Sequence, residues 1–227
     1  AADQAAAQLI PIIELCRYCP GMVTAMGVSV GLAAGAILSK GTTEQKERWA
    51  RELLTLDKVG AWAITEPGSG SDLASLNTKA EDMGDHYLVN GVKTWTTMAQ
   101  YADWMFCLVR TSNEDIRQLG ISFILMDMKT PGIDVRPIIT LDEPQQGFQE
   151  INMVYFNDVK VPKSNLLGEQ GKGWTCAKYL LEFERGNAYS PSLNGAMSHL
   201  QNFAKAERGD GDGSYWQNAD FQKRFND

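Results

Sequence analysis

The feature that most constrains the fold is a change of pattern within the chain. Near residue 60 a helical stretch gives way to short β-branched and aromatic runs that are separated by turn residues. We expect strands at 60–65, 78–82, 86–89, 92–98, 104–110, 121–128, 133–137 and 150–156, with Asn90-Gly91 as the strongest hairpin signal. A parallel sheet would need helices between its strands. The pattern therefore predicts an antiparallel β-sandwich or barrel and disfavours a Rossmann domain.

Helical patterns flank this central region on both sides. Residues 1–59 predict helices, one of them ended by Gly41 and the next opened by a capping box of Thr42 and Gln45. From Gly171 apolar residues again recur at helical spacing, through to an amphipathic helix near Asp220. We therefore predict an α+β multidomain chain, with a partial helical domain at 1–59, a β domain at 60–168 and the start of a helical domain at 169–227.

The charge balance limits the partners. The 227 residues carry 21 basic and 28 acidic side chains, a formal net charge of −7. An acidic surface repels phosphate backbones, so we expect no nucleic-acid partner, and a phosphate-bearing ligand would need local donors.

The uncharged run from Met22 to Leu38 is the candidate for a membrane span. Gly27, Gly31 and Gly35 form a small-residue stripe along it. Because the run has only the minimum length for a span, we expect a buried helix whose bare face admits a neighbouring helix, and no membrane span.

The cysteines predict neither a disulfide scaffold nor a metal site. The chain has four, at Cys16, Cys19, Cys107 and Cys176. The pair Cys16-x-x-Cys19 lacks the second ligand pair that a zinc site needs and the preceding strand of a thioredoxin-type redox pair. We expect packing thiols and no metal.

The segment from Trp62 to Asp72 is the strongest candidate for a binding element. It reads as a strand entering a small-residue turn, where hydroxyls and glycine backbone N–H groups could approach a flavin edge or a pyrophosphate. No Gly-Lys-Ser/Thr follows, so it is not a P-loop. On local physics alone, a tight structural turn is the favoured interpretation, and a binding element is the alternative.

Four segments in order resemble the acyl-CoA dehydrogenases, flavoenzymes that oxidise the α,β bond of acyl thioesters. They are 62–72 (WAITEPGSGSD), 88–97 (LVNGVKTWTT), 157–162 (NDVKVP) and 168–174 (GEQGKGW). The resemblance implies a helical, β and helical domain in turn, with FAD between the last two. By position it implies flavin contacts from Trp62, Ile64, Thr65, Gly70, Ser71, Trp95, Thr96 and Thr97, and substrate contacts from Ser71, Glu182 and Arg185.

The resemblance also implies roles at particular positions. Thr65 would hydrogen-bond the pyrimidine side of the ring, Trp95 would pack beside the isoalloxazine and Thr97 would donate towards N5. From the residues alone, Trp95 could be a core aromatic, and Glu182 with Arg185 an ordinary surface pair.

Two departures qualify the resemblance. The family usually has Ile-Thr-Asn after the tryptophan, where this chain has Thr96-Thr97-Met98. The family's catalytic glutamate belongs to the terminal helical domain, which we expect beyond Asp227. The catalytic base is therefore unassigned, Glu66 is expected to support the turn, and the chain alone is expected to be inactive.

The resemblance further implies an acyl-CoA substrate, an electron-transfer flavoprotein as acceptor, and a homo- or hetero-oligomer such as a dimer or tetramer. The location would be cytoplasmic in a bacterium and the mitochondrial matrix in a eukaryote. Two alternatives stay open: a non-catalytic partner subunit with the same fold, and an acyl-CoA oxidase or flavin monooxygenase.

Overall fold

A computed structural model describes residues 2–141, 149–185, 190–208 and 213–226. Within these residues the chain forms six main helices, apart from short 3-10 turns, and seven strands. The helices are α1 (Ala2–Tyr18), α2 (Pro20–Lys40), α3 (Thr43–Gln45, continued by a π-helical Lys46–Ala50 and by Arg51–Leu54), α4 (Gly173–Arg185), α5 (Ser190–Ala206) and α6 (Ala219–Asn226).

The strands form one seven-stranded sheet. They are β1 (Gly60–Ala63), β2 (Lys79–Asp82), β3 (His86–Thr97), β4 (Trp104–Arg110), β5 (Ile121–Asp127), β6 (Ile133–Pro137) and β7 (Ile151–Pro162). Their order is β1-β4-β2-β3-β7-β6, and β5 pairs with β4 off this path. Most pairs are antiparallel, but β1 and β2 each pair with β4 in parallel, so the sheet is mixed.

The predicted hairpin at Asn90-Gly91 is wrong. β3 runs straight through both residues and pairs with β7, with a register shift between Val89 and Gly91. The Asn90 side chain accepts from the Asp158 backbone N–H at 2.9 Å and donates to the Asp158 carboxylate at 2.9 Å. Gly91 has φ +150°, and a Cβ there would lie 2.7 Å from Thr78 Cα. The glycine therefore serves a β-bulge with a close backbone contact, not a turn.

The sheet separates two apolar layers. One face packs with α2, α3 and α4, and its core includes Ile37, Trp49 and Leu180. The other face, with Val89, Met105 and Val159, forms a second cluster. Every residue of β5 from Ile121 to Met126 is buried, because that strand is covered on both faces.

The start of α3 confirms the predicted capping box. Gln45 N–H donates to Thr42 Oγ1 at 3.2 Å, and Thr42 N–H donates to Gln45 Oε1 at 3.1 Å. The Gln45 amide nitrogen also donates to the carbonyls of Ser164 (2.9 Å) and Leu166 (2.7 Å). One side chain thereby ties the helix start to the segment that follows β7.

Helix α2 is long and apolar enough to cross a membrane by length and composition, with a mean hydropathy of 1.8 over its best 18-residue window. Such a helix is weak evidence for a span, because core helices pass the same test. Its buried side includes Ser29, whose Oγ accepts from Gly60 N–H at 3.0 Å.

The expected close helix neighbour on the glycine stripe of α2 is not found. A Cβ at Gly27, Gly31 or Gly35 would meet no atom of the described residues within 4 Å. The packed side carries alanines such as Ala33 and Ala36 instead.

The chain divides into two compact units, residues 1–24 with 187–227, and residues 25–186. In the first unit α1 packs on α5, with Cys16 and Ala204 buried.

The predicted helix near Asp220 is confirmed as α6, whose Phe225 packs edge-on against Trp216 with ring centroids 5.0 Å apart. The predicted loop at 208–214 lies largely outside the described residues. The second unit contains the sheet and the candidate site.

Candidate flavin-binding site

The segment after β1 forms a closed tight turn. Glu66 N–H donates to the Ser69 carbonyl at 3.1 Å, and Ser69 N–H donates back to the Glu66 carbonyl at 3.0 Å. The Ser69 hydroxyl donates to the Asp72 carbonyl at 2.9 Å, which braces the exit of the turn. The turn thus holds its own shape while Gly68, Gly70 and Ser71 stay exposed.

Gly68 fits a place where something outside the chain approaches the backbone. Its φ is not in the left-handed region, and a Cβ there would meet no atom within 4 Å in the described part of the chain. Neither backbone conformation nor internal packing therefore requires glycine at this position. A bare backbone at an exposed turn instead leaves room for a ligand.

The second segment is a strained bulge at the end of β3. Trp95 has φ +61°, in the left-handed region, and the pairing with β7 shifts between Lys93 and Thr96. An aromatic residue in this conformation is an outlier, and such strain collects at functional sites. Its effect is to turn the indole outwards, where it is 60% exposed.

The residues after Trp95 alternate between the two sides of the strand. Thr97 is exposed, whereas Thr96 is fully buried and its hydroxyl has no hydrogen-bond partner among the described residues. Asn152, itself buried, donates from its side-chain amide to the Thr96 carbonyl at 3.2 Å and so holds this end of β3.

The turn and the bulge meet. Thr94 N–H donates to the Thr65 carbonyl at 2.9 Å, so the strand that carries Trp95 lies beside the entry to the turn. Thr65 is half-buried, and neither its hydroxyl nor that of Thr97 has a hydrogen-bond partner within the described ranges. The site therefore combines an exposed aromatic face with unused hydroxyls.

A buried ion pair lies under the turn. Lys93 Nζ is 2.8 Å from Glu66 Oε1, and both side chains are almost completely inaccessible. Burial raises the pKa of the Glu66 carboxyl, but the charge and hydrogen bond of Lys93 and the donors at Thr78 and Asn77 outweigh it, so that pKa is lowered overall. Nearby, burial raises the pKa of the Cys107 thiol to about 12. Neither Glu66 nor Cys107 is thus suited to exchange protons with a ligand.

The other predicted site residues are distributed unevenly. Trp62 is half-buried and packs against Phe123 with ring centroids 6.1 Å apart, and Ile64 is half-buried beside the same cluster. Glu182 lies exposed on α4, and the Arg185 side chain lies outside the described ones.

A cavity of about 320 Å³ lies where the turn rejoins the sheet. Two of its lining residues are arginines. Arg110 donates to the carbonyls of Leu76, Ala74 and Arg117, and burial lowers its pKa. Arg117 pairs with Asp72 at 3.0 Å. Both guanidinium groups therefore already have hydrogen-bond partners, a carboxylate for Arg117 and neutral carbonyls for Arg110.

Sequence reasoning missed Lys93 and Asn152. Lysine and asparagine in a strand usually lie at its exposed face. The available signal was one charged residue of each sign, Lys93 and Glu66, within the two segments that carry the site.

Comparisons with known proteins bear on this geometry. Residues 2–57 match the family described as the acyl-CoA dehydrogenase N-terminal domain, and residues 61–159 match its middle domain. Acyl-CoA dehydrogenase IpdE1 of Mycobacterium tuberculosis is 36% identical over 155 residues, which are 68% of this chain and 39% of the relative. The mitochondrial short-chain specific acyl-CoA dehydrogenase of Rattus norvegicus is 34% identical over 194 residues, 84% of this chain and 46% of the relative.

Another relative and a solved structure extend the comparison. The subunit CarC of a caffeyl-CoA reductase–Etf complex from Acetobacterium woodii is 36% identical over 182 residues, covering 78% of this chain and 47% of the relative. A crystal structure of acyl-CoA dehydrogenase from Geobacillus kaustophilus superposes with a TM-score of 0.81 at 31% identity, covering 90% of this chain and 54% of that one.

A helical segment, a curled mixed sheet and further helices form a domain plan that this chain shares with a class of FAD-dependent enzymes. The chain belongs to the acyl-CoA dehydrogenase family. Members of this family are FAD-dependent. The chain spans less than half the length of these curated relatives.

Proposed function

We propose that this chain forms the flavin-binding wall of an acyl-CoA dehydrogenase that oxidises the α,β bond of an acyl-CoA thioester. The observation that carries the proposal is the convergence of the turn at 65–71 with the bulge at Trp95, joined through Thr94 and Thr65. The bound FAD would accept the hydride from the β-carbon.

The residues present fit that cofactor. Trp95 offers an exposed indole face to a flat ring. An indole packed on the flavin would keep water from the reacting bond. Thr65 and Thr97 would donate hydrogen bonds to the ring edge and hold negative charge there as the ring is reduced. Gly70 and Ser71 would approach the phosphates of the cofactor, together with Trp62, Ile64 and Thr96 as further contacts.

Glu66, the carboxylate of the turn, is not the proposed base. Glu66 accepts from Lys93 and from the N–H groups of Asn77 (2.6 Å) and Thr78 (2.9 Å), so both of its oxygens are held by hydrogen bonds within the chain. We assign its role to the turn. Ser71, Glu182 and Arg185 are the proposed contacts to the acyl-CoA.

A visible spectrum tests the proposal. The protein purified at its natural length should show flavin bands, which should bleach on anaerobic addition of an acyl-CoA thioester. A colourless protein that takes up no FAD would favour a non-catalytic subunit. Rapid oxygen consumption with substrate would favour an oxidase or monooxygenase.

The partners follow from the same reasoning. An electron-transfer flavoprotein is the proposed acceptor, since one relative is named as a subunit of a complex with Etf. We further propose a homo- or hetero-oligomer, such as a dimer or tetramer, and a cytoplasmic or mitochondrial-matrix location. Reoxidation of the bleached protein by an added electron-transfer flavoprotein would test the acceptor.

A further inference from the structure

Lys93 has no solvent contact, which is unusual for a lysine. Its side chain is 0% exposed, within the apolar sheet. Lysine is almost never fully buried unless it is paired, because removing an ammonium from water is costly. Here Nζ donates to the Ile64 carbonyl at 3.1 Å and to Glu66 Oε1 at 2.8 Å. The proposed chemistry makes no direct use of this charge.

The partner carboxylate joins three parts of the chain. Glu66 belongs to the turn, Lys93 to β3, and the N–H groups of Asn77 and Thr78 to the entry of β2. A carboxylate with three donors has one favoured position. The ion pair therefore fixes where the turn begins.

Lys93 also lies immediately before the two residues that shape the site. Thr94 donates its N–H to the Thr65 carbonyl, and Trp95 is the left-handed bulge residue. The side chain of Lys93 holds Ile64 and Glu66 while its backbone leads into Trp95. A single residue thus binds the neighbours of Thr65 on both sides and lies two residues before Trp95.

We infer that Lys93 is a positioning residue, which sets the placement of Thr65 relative to Trp95 through the Ile64 carbonyl and the Glu66 carboxylate. This inference rests on the proposed function, since the placement matters because a flavin ring would contact both residues. Ion pairs of this kind are often no more stabilising than apolar residues. The role of the pair between Lys93 and Glu66 is therefore geometric.

Three variants of the protein at its natural length separate positioning from stability. Lys93→Met leaves a buried, unpaired carboxylate. The double variant Lys93→Met/Glu66→Gln removes both charges, which restores much of the lost stability. It does not restore the geometry, because the Ile64 carbonyl loses its donor, and an NH2 group replaces one of the two carboxylate oxygens that accept from Asn77 and Thr78. Met126→Ala is the control, a buried residue of β5 in the same apolar layer.

The readouts are FAD affinity and the spectrum of bound FAD, each measured where the folded fraction is complete. We expect both Lys93 variants to bind FAD about tenfold more weakly or worse, with an altered spectrum. Met126→Ala should keep wild-type affinity and spectrum despite its lower stability. A double variant with wild-type affinity and spectrum would overturn the inference, since only stability would then have depended on Lys93.

Amide hydrogen exchange on the flavin-free chain gives a second, independent answer. The N–H groups of Glu66, Ser69 and Thr94 should exchange faster in the double variant than in Met126→Ala, because they form the hydrogen bonds of the turn and its junction. If the wild-type protein at its natural length takes up no FAD, the proposed function fails, and exchange alone then decides the positioning role. Unchanged exchange at all three N–H groups would refute it.

Discussion

Replacing Trp95 with asparagine should leave the folded chain about as stable as it is now while removing flavin affinity. Trp95 lies at φ +61° and is 60% exposed. Asparagine tolerates this left-handed conformation better than other residues with a side chain, and it avoids the extra entropy loss of glycine.

Two opposing contributions set the change in the free energy of unfolding. The left-handed conformation costs roughly 1–2 kcal/mol for an ordinary residue, and asparagine recovers part of it. Complete burial of a large apolar side chain is worth about 1.5–3 kcal/mol, and Trp95 buries two fifths of its surface, so its loss costs about 1 kcal/mol. The net change in the free energy of unfolding should lie within about 1 kcal/mol of zero.

The assay is urea unfolding followed by circular dichroism, together with FAD titration. Loss of the indole face should weaken FAD binding at least about tenfold, equivalent to 1.4 kcal/mol. Leu56→Asn is a matched control. Leu56 also has a left-handed φ of 60° and is 38% exposed, but it lies in the turn before β1. This control should retain wild-type FAD affinity.

Two results would refute this reasoning. A destabilisation of Trp95→Asn by more than about 2 kcal/mol would mean that the indole is a core residue, because exposed side chains seldom contribute that much. Unchanged FAD affinity would mean that the strained bulge does not serve the cofactor.

Further predictions concern Glu66, Gly91 and Thr97. The pKa of Glu66 lies below its ordinary 4.5. The stability that the ionised carboxylate adds to the folded state is therefore complete above pH 4.5 and is lost as the pH falls through the lowered pKa. The stability difference between wild type and Glu66→Gln, measured by urea unfolding, should therefore narrow below about pH 4.5, and a constant difference would contradict this. Gly91→Ala should destabilise the protein by about 1–3 kcal/mol, because the new Cβ would meet Thr78. Gly68→Ala has open space around the new Cβ and should change the free energy of unfolding by no more than about 0.5 kcal/mol. Equal melting temperatures of the two variants would disprove this difference. Thr97→Val in the protein at its natural length should slow anaerobic flavin reduction about tenfold in stopped-flow, and an unchanged rate would remove Thr97 from the site.

Local signals predicted the elements whose partners are close in sequence. The capping box of Thr42 and Gln45 needs only three residues of spacing, so it could be recognised directly. Strands β4 and β6 were predicted at their observed limits, because alternation and turn residues are local as well.

Features that depend on distant residues could not be predicted in this way. Asn90-Gly91 carries the same local signature whether it forms a hairpin or a bulge, and contacts with Asp158 and Thr78 decide for the bulge. β7 continues through Asp158, at φ 51°, where the predicted strand ended at residue 156.

The candidate site shows the same division. The motif order indicated that the turn and Trp95 belong together, but the resemblance alone gave no reason why they meet. That reason is the bond from Thr94 to Thr65 and the pair of Lys93 with Glu66, which lie 29 and 27 residues apart. The side on which Thr96 lies depends on the bulge, which inverts the alternation of the strand.

The amide of Gln45 has a consequence for how this chain is made on the ribosome. Its acceptors at Ser164 and Leu166 lie 119 and 121 residues later in the chain. At about 5–20 residues per second, translation from Gln45 to these two acceptors takes roughly 6–24 s. Helix α3 therefore leaves the ribosome before these acceptors exist, with its apolar side uncovered. A chaperone that binds nascent chains would protect this side during that interval.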